Sequence, residues 1–174
     1  FLAMGLTNRG LCFNNHKDDR EAIASYDRAF KVWENPIIRN GFSGWEVNLG
    51  IGYLNKSISL KVLGDVHEAL NYNDKALMIF DRIVNVEGKT AYRNHLACLY
   101  NNRAIIFRHL GDDSAAVEFY EKAIDLRETL VFREGRSIHA DQLAKSYMNK
   151  ADTVMKLGDT RTAFEYYHKA KSIW

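Results

Sequence analysis

The chain has 174 residues, of which 47% are hydrophobic, so it is long enough to bury a sizeable core. Its 24 basic and 22 acidic residues leave a formal net charge of +2, which does not indicate nucleic acid or an anionic membrane as a partner. No run approaches the roughly 18 apolar residues of a membrane span, and the first residues lack the charged head and apolar run of a signal peptide. These totals predict a soluble, cytoplasmic protein that binds neither nucleic acid nor a membrane.

The first predicted repeat, residues 1–41, reads as two helices joined by a polar turn. Apolar and small residues recur at spacings of three and four, which is typical of amphipathic helices. The polar stretch 14–19 turns the chain, with Lys17 at the position where the later turns have glycine. Pro36 lies where a longer second helix would continue, so we expect this helix to stop by about Asn35.

The rest of the chain repeats this helix–turn–helix pattern at 42–88, 89–135 and 136–174, and the last repeat is shorter. Every step is 47 residues, as the turn glycines and the alanines that follow them show: Gly64, Gly111, Gly158, Ala69, Ala116 and Ala163. In each turn, glycine supplies the left-handed conformation that ends one helix, and the aspartate after it caps the next. A fixed period of this size predicts an all-α solenoid of about four antiparallel helix hairpins.

Small and aromatic residues occupy fixed positions on both helices of each repeat. In the third repeat these are Tyr100, Ala104, Phe107, Ala116, Tyr120 and Ala123. The arrangement resembles the tetratricopeptide repeat, and all four repeats match it. The resemblance implies a right-handed superhelix that binds an extended peptide in a concave groove. The usual repeat has about 34 residues; the longer one here is similar to arrays in bacterial multidomain proteins, some of which carry a caspase-like peptidase domain.

Both ends of the chain lack the polar capping helix that terminal repeats normally need. The sequence begins inside a first helix, just before Leu2, and stops before the glycine that would close the fourth repeat. We therefore expect a fragment of a longer protein.

One polar residue is the same in every repeat: Asn8, Asn55, Asn102 and Asn149. Asparagine is a poor helix former, so four in register inside helices indicate a role other than local stability. Each lies two residues before the small packing position, which at 3.6 residues per turn places it about 200° around the helix, away from the partner helix. The resemblance implies that this side lines the groove and that the amides bind the peptide backbone. The alternative is that they bridge adjacent repeats or hold water.

The other candidate peptide-binding residues lie near the asparagines, mostly one helical turn before or after them. They are Ile51, Ile58, Lys61, Ile105, Arg108, Lys145 and Lys156. They make the predicted groove apolar in the middle and basic towards its C-terminal half, which suits an extended ligand with hydrophobic residues and a carboxylate or acidic side chains. The alternative is that they are ordinary solvated positions.

A basic residue follows each asparagine: Arg9, Lys56, Arg103 and Lys150. Candidate partners on the second helices are Asp27, Asp74, Glu121 and His168. We expect internal ion pairs with a neighbouring repeat, with contact to a ligand as the alternative.

No catalytic constellation is visible. The six histidines show no metal-ligand spacing, no nucleophile motif occurs, and Cys12 and Cys98 lie in separate predicted helices. The sequence therefore predicts no enzyme activity, no metal and no cofactor, and favours a protein–protein interaction scaffold. Two alternatives stay open: a regulatory or substrate-recruiting domain of a larger enzyme, and a module that self-associates through its terminal faces.

Overall fold

A computed structural model describes residues 2–33, 35 and 44–173. In these residues the regular structure is entirely helical, which confirms the all-α prediction. The α-helices are α1 (Leu2–Asn15), α2 (Asp19–Trp33), α3 (Trp45–Val62), α4 (Val66–Asp81), α5 (Arg93–Leu110), α6 (Asp113–Glu128), α7 (Ala140–Lys156) and α8 (Thr160–Lys171). No helix in the described ranges is both long and apolar enough to cross a membrane.

Consecutive helices pack as four hairpins, α1 with α2, α3 with α4, α5 with α6, and α7 with α8. The contacts divide the chain into two compact units, Phe1–Arg82 and Ile83–Trp174, which we call the N-terminal unit and the C-terminal unit. In the part of the chain that the structure describes, each unit contains two of these hairpins. In the N-terminal unit α2 packs against α3, and in the C-terminal unit α6 packs against α7.

The tight turns inside the hairpins are built as the sequence indicates. Gly64, Gly111 and Gly158 have φ of 88°, 84° and 91°, the left-handed conformation that glycine adopts without strain. The aspartate after each glycine caps the next helix; for example, Ala115 N–H donates to the Asp112 carboxylate at 2.9 Å. In the first hairpin Lys17 takes the left-handed conformation instead, with φ of 61°.

The second helices are longer than those of a 34-residue repeat. In the C-terminal unit α6 continues into a π-helical turn, Thr129–Arg133, and the chain turns at Gly135 (φ 66°) into a 3-10 turn, Ser137–His139, that leads into α7. The same succession follows α4, with Gly88 at φ 69°. The α2 helix ends at Trp33, in line with the expected stop by Asn35. Pro36, to which we attributed that stop, lies outside the described residues.

Candidate functional site

Two members of the basic row of the first helices, Lys56 and Lys150, are buried in the packing between helices. Lys56 on α3 is 4% exposed, and its Nζ donates to Asp27 Oδ1 at 2.5 Å and to the Tyr72 hydroxyl at 2.9 Å. Lys150 on α7 is 3% exposed, and its Nζ donates to Glu121 Oε1 and to the Tyr166 hydroxyl, both at 2.7 Å. These contacts confirm, for both lysines, the predicted ion pair with a neighbouring repeat, which is the preceding one.

Each of these lysines belongs to a cluster of two cations around one aromatic ring. The Tyr72 ring centroid lies 4.1 Å from Lys56 Nζ and 4.6 Å from Lys75 Nζ. The Tyr166 centroid lies 4.1 Å from Lys150 Nζ and 5.0 Å from Lys169 Nζ. The third copy joins Phe119 with Arg103 and Lys122. The sequence analysis missed these clusters, although the rings and both sets of cations recur every 47 residues.

The contacts of Lys56 stabilise the charged form of its side chain. Burial alone would lower the pKa of its ammonium group, but hydrogen bonds to Asp27 and Tyr72 outweigh burial and the pKa is raised. A lysine bound in this way is a packing element, so it is not available to a ligand. Arg9, in contrast, is exposed and lies over the Phe13 ring, 5.3 Å from its centroid.

The four asparagines differ in exposure. Asn8 is exposed, Asn55 and Asn149 are half-buried, and Asn102 is only 3% exposed. Asn102 is therefore the member of the row that a ligand would reach least easily, whereas Asn149 keeps part of its surface open to solvent. Spacing along the helix does not reveal this difference.

The other candidate binding residues also vary in depth. Ile51, Ile58, Lys61, Ile105 and Arg108 are half-buried, and Lys145 and Lys156 are exposed. Burial lowers the pKa of the Lys61 ammonium group to about 8, so Lys61 loses its proton at a lower pH than a surface lysine does.

A cavity in the C-terminal unit brings three of the predicted residues together. It has a volume of about 250 Å³ and is lined by Ile105, Arg108, His109 and Lys156, from the C-terminal turns of α5 and α7. Ile105, Arg108 and Lys156 are predicted binding residues, and His109 adds a third basic side chain. The cavity thus combines one apolar wall with several hydrogen-bond donors.

An acidic residue that the sequence analysis did not single out lies beside this cavity. Asp113, in the first turn of α6, is 8% exposed, and its Oδ2 lies 2.5 Å from Lys156 Nζ. Its other oxygen, Oδ1, is buried without a hydrogen-bond partner. Arg108 lies near the buried Tyr120; burial raises the pKa of that hydroxyl, and the Arg108 guanidinium offsets part of the rise.

A further buried cation, Arg127 on α6, was not predicted from the sequence. It is 4% exposed, and its guanidinium donates to the Ser146 hydroxyl, to the Gln142 carbonyl at 3.2 Å and to Cys98 Sγ at 3.5 Å. Arg127 thereby ties α6 to both first helices of the C-terminal unit.

The described part of the chain contains no group of three or more histidine, cysteine or acidic residues that could hold a metal ion.

Comparisons with known proteins agree with this architecture. Two family models described as tetratricopeptide repeat match the chain, at residues 58–129 and 144–173. Among solved structures, the crystal structure of BtubC (BKLC) from P. vanneervenii is similar, with a TM-score of 0.78 and 20% sequence identity over 98% of this chain. The chain spans 62% of the length of that structure. A search of curated proteins gives no significant match. The repeated helix hairpins and both matching models show that the chain belongs to the tetratricopeptide repeat family.

Proposed function

We propose that the chain is a non-catalytic interaction module whose first-helix surface holds an extended segment of another protein. Tetratricopeptide repeats generally mediate protein–protein interactions and are generally non-catalytic. The observation that carries the proposal is the cavity lined by Ile105, Arg108 and Lys156, because it joins side chains from two first helices, α5 and α7, in one recess.

Several side chains of the first helices α5 and α7 keep surface open to solvent and suit a peptide. Asn149 is half-buried, and an amide offers both a donor and an acceptor to a peptide group whatever the peptide sequence, each net bond contributing about 0.5 to 1.5 kcal/mol. Ile105 offers apolar surface, and Arg108, Lys145 and Lys156 offer positive charge. We therefore propose a ligand that is extended, has hydrophobic residues and carries an acidic side chain or a terminal carboxylate.

In the N-terminal unit the corresponding surface is more apolar. Asn55 lies among Ile51, Ile58 and Lys61, all half-buried. We propose that this surface binds the hydrophobic residues of a peptide and contributes less to the recognition of charge.

The test is selection of peptides from a random library on the whole 174-residue chain, followed by affinity measurements on variants. We expect Asn149→Ala to weaken the selected peptide about twofold to tenfold, which corresponds to one lost hydrogen bond. Asn71→Ala, at an exposed position on the second helix α4, is the matched control and should leave affinity unchanged. The proposal fails if no peptide is selected, or if Asn149→Ala and Asn55→Ala both bind normally with full helicity.

A further inference from the structure

We propose that the cavity of the C-terminal unit is a subsite for one side-chain carboxylate, that of a glutamate or aspartate of the bound segment, and that Asp113 competes with this carboxylate for Lys156. The inference rests on the proposed function and adds the ligand chemistry of one subsite and a residue that tunes its affinity.

The charges around the cavity leave room for one anion. Within the described ranges, no carboxylate lies within ion-pair distance of Arg108, while Lys156 is paired with Asp113. The nearby acid on α7, Asp152, accepts a hydrogen bond from the Tyr167 hydroxyl at 2.7 Å and forms no ion pair with Arg108. Arg108 therefore has no ion-pair partner in the described residues, and the planar fork of donors of its guanidinium matches a carboxylate well.

The size and lining of the cavity favour a side chain over a whole ligand. Its volume of about 250 Å³ is below the roughly 300 to 1,000 Å³ of sites that enclose a small molecule. Ile105 provides an apolar wall for the methylene groups of a glutamate, and the basic side chains face its carboxylate. A glutamate of an extended peptide matches both features.

The ion pair between Lys156 and Asp113 opposes ligand binding, because it must be broken when Lys156 contacts the ligand. Asp113 is nearly buried, and its Oδ1 already has no hydrogen-bond partner, whereas the Lys156 side chain is 59% exposed on a flexible stem. If Lys156 turns to a ligand carboxylate, Asp113 is left charged, nearly buried and unpaired, which is unfavourable. Asp113 therefore weakens the subsite, and its replacement by the isosteric asparagine should strengthen it.

The experiment is an NMR titration of the ¹⁵N-labelled chain with small capped probes. N-acetylglutamate α-amide carries one side-chain carboxylate, N-acetylglutamine α-amide is its neutral match, and N-acetylglycine represents a chain-terminal carboxylate. We expect the glutamate probe to shift Arg108 Nε–H and the amides of residues 105–109 at millimolar concentrations, and the glutamine probe to leave them in place. Equal shifts with both amides would overturn the subsite, and tighter binding of N-acetylglycine would overturn the side-chain assignment.

Variants of the chain separate the roles of the charged residues. Arg108→Gln should abolish the shifts and Lys156→Met should weaken binding. Asp113→Asn should tighten binding about twofold to fivefold, the range expected for release of one partly exposed ion pair. Asp125→Asn and Lys171→Met, at exposed positions on α6 and α8, control for the change in net charge and should bind like the parent. Unchanged or weaker binding by Asp113→Asn would overturn the competition. If that variant does not fold, unchanged or stronger binding by Lys156→Met would overturn the competition instead, because Lys156 would then not bind the carboxylate.

These probes also keep the two proposals distinguishable. They are too short to lie along the asparagines, so their binding does not depend on Asn55 or Asn149. Shifts with the glutamate probe but no selected peptide would contradict the peptide surface alone. A selected peptide whose affinity is unaffected by Arg108→Gln would contradict the subsite alone.

Discussion

The N-terminal and C-terminal units use the same packing chemistry but present different surfaces. Lys56 and Lys150 make equivalent contacts with an acid of the preceding repeat and with a tyrosine of their own repeat. On the first-helix surface the equivalent positions diverge. The triplet Ile51, Ile58 and Val62 in the second repeat corresponds to Lys145, Asp152 and Lys156 in the fourth.

This difference separates two kinds of position in the repeat. A buried lysine with an acid, a hydroxyl and a ring around it has little freedom to change, since each partner would lose a contact. A side chain on the open surface has no such constraint. Selectivity for a ligand is therefore expected from the divergent surface positions, and hairpin stability from the repeated clusters.

The largest expected effect comes from removing the buried lysines. Lys56→Met and Lys150→Met keep most of the side-chain volume but lose two hydrogen bonds and a cation–ring contact, so each should lower the free energy of unfolding by about 2 to 3 kcal/mol. Urea unfolding measures the loss. Because Asp27 and Glu121 are about half exposed, they can be rehydrated, and the two losses should be similar. A loss in one unit without the other would break the comparison.

A smaller effect is expected at a position where the units use different residues. Gly50 in the N-terminal unit corresponds to Ala97 in the C-terminal unit, and a Cβ at Gly50 would lie 2.8 Å from the buried Phe80 ring. Gly50→Ala should therefore destabilise by about 1 to 2 kcal/mol, although alanine is the better helix former.

The reciprocal variant is the control for this position. Ala97→Gly should cost about 1 kcal/mol through helix propensity alone. Thermal unfolding of both variants distinguishes steric from intrinsic effects, and a stabilising Gly50→Ala would show that Phe80 moves freely.

Much of the fold could be predicted because its determinants are local and periodic. The glycine and aspartate of each tight turn act within a few residues, and the ion pairs of Lys56 and Lys150 span the same 29 residues. In a repeat protein such ion pairs can be predicted from the sequence, because a pair found in one repeat is expected at the equivalent positions of another.

The candidate site was less predictable, because it depends on how deeply each side chain is buried and on contacts that do not recur in every repeat. Helical spacing places Asn102 and Asn149 on one face but does not show that Asn102 is buried. The ion pair of Asp113 with Lys156 has no counterpart one repeat earlier, where the matching residues are Val66 and His109. This contact depends on how α6 packs against α7, so a periodic sequence pattern does not predict it.

The smallest expected effect concerns Lys61, whose equivalent in the C-terminal unit is Arg108. Burial lowers the pKa of Lys61 to about 8 in the folded chain, against an ordinary value of 10.5. Between these values the unfolded chain binds more protons, so stability should rise with pH, by about 1 kcal/mol from pH 7 to pH 9. Tyr26 opposes this trend only above about pH 10, because burial raises its pKa and ionisation then favours unfolding. Urea unfolding at the two pH values tests the rise, which Lys61→Met should remove and Arg108→Met should leave intact. If the stability of Lys61→Met still rises from pH 7 to pH 9, another group causes the rise. Lys61 and Arg108 would then not differ in their effect on the pH dependence of stability.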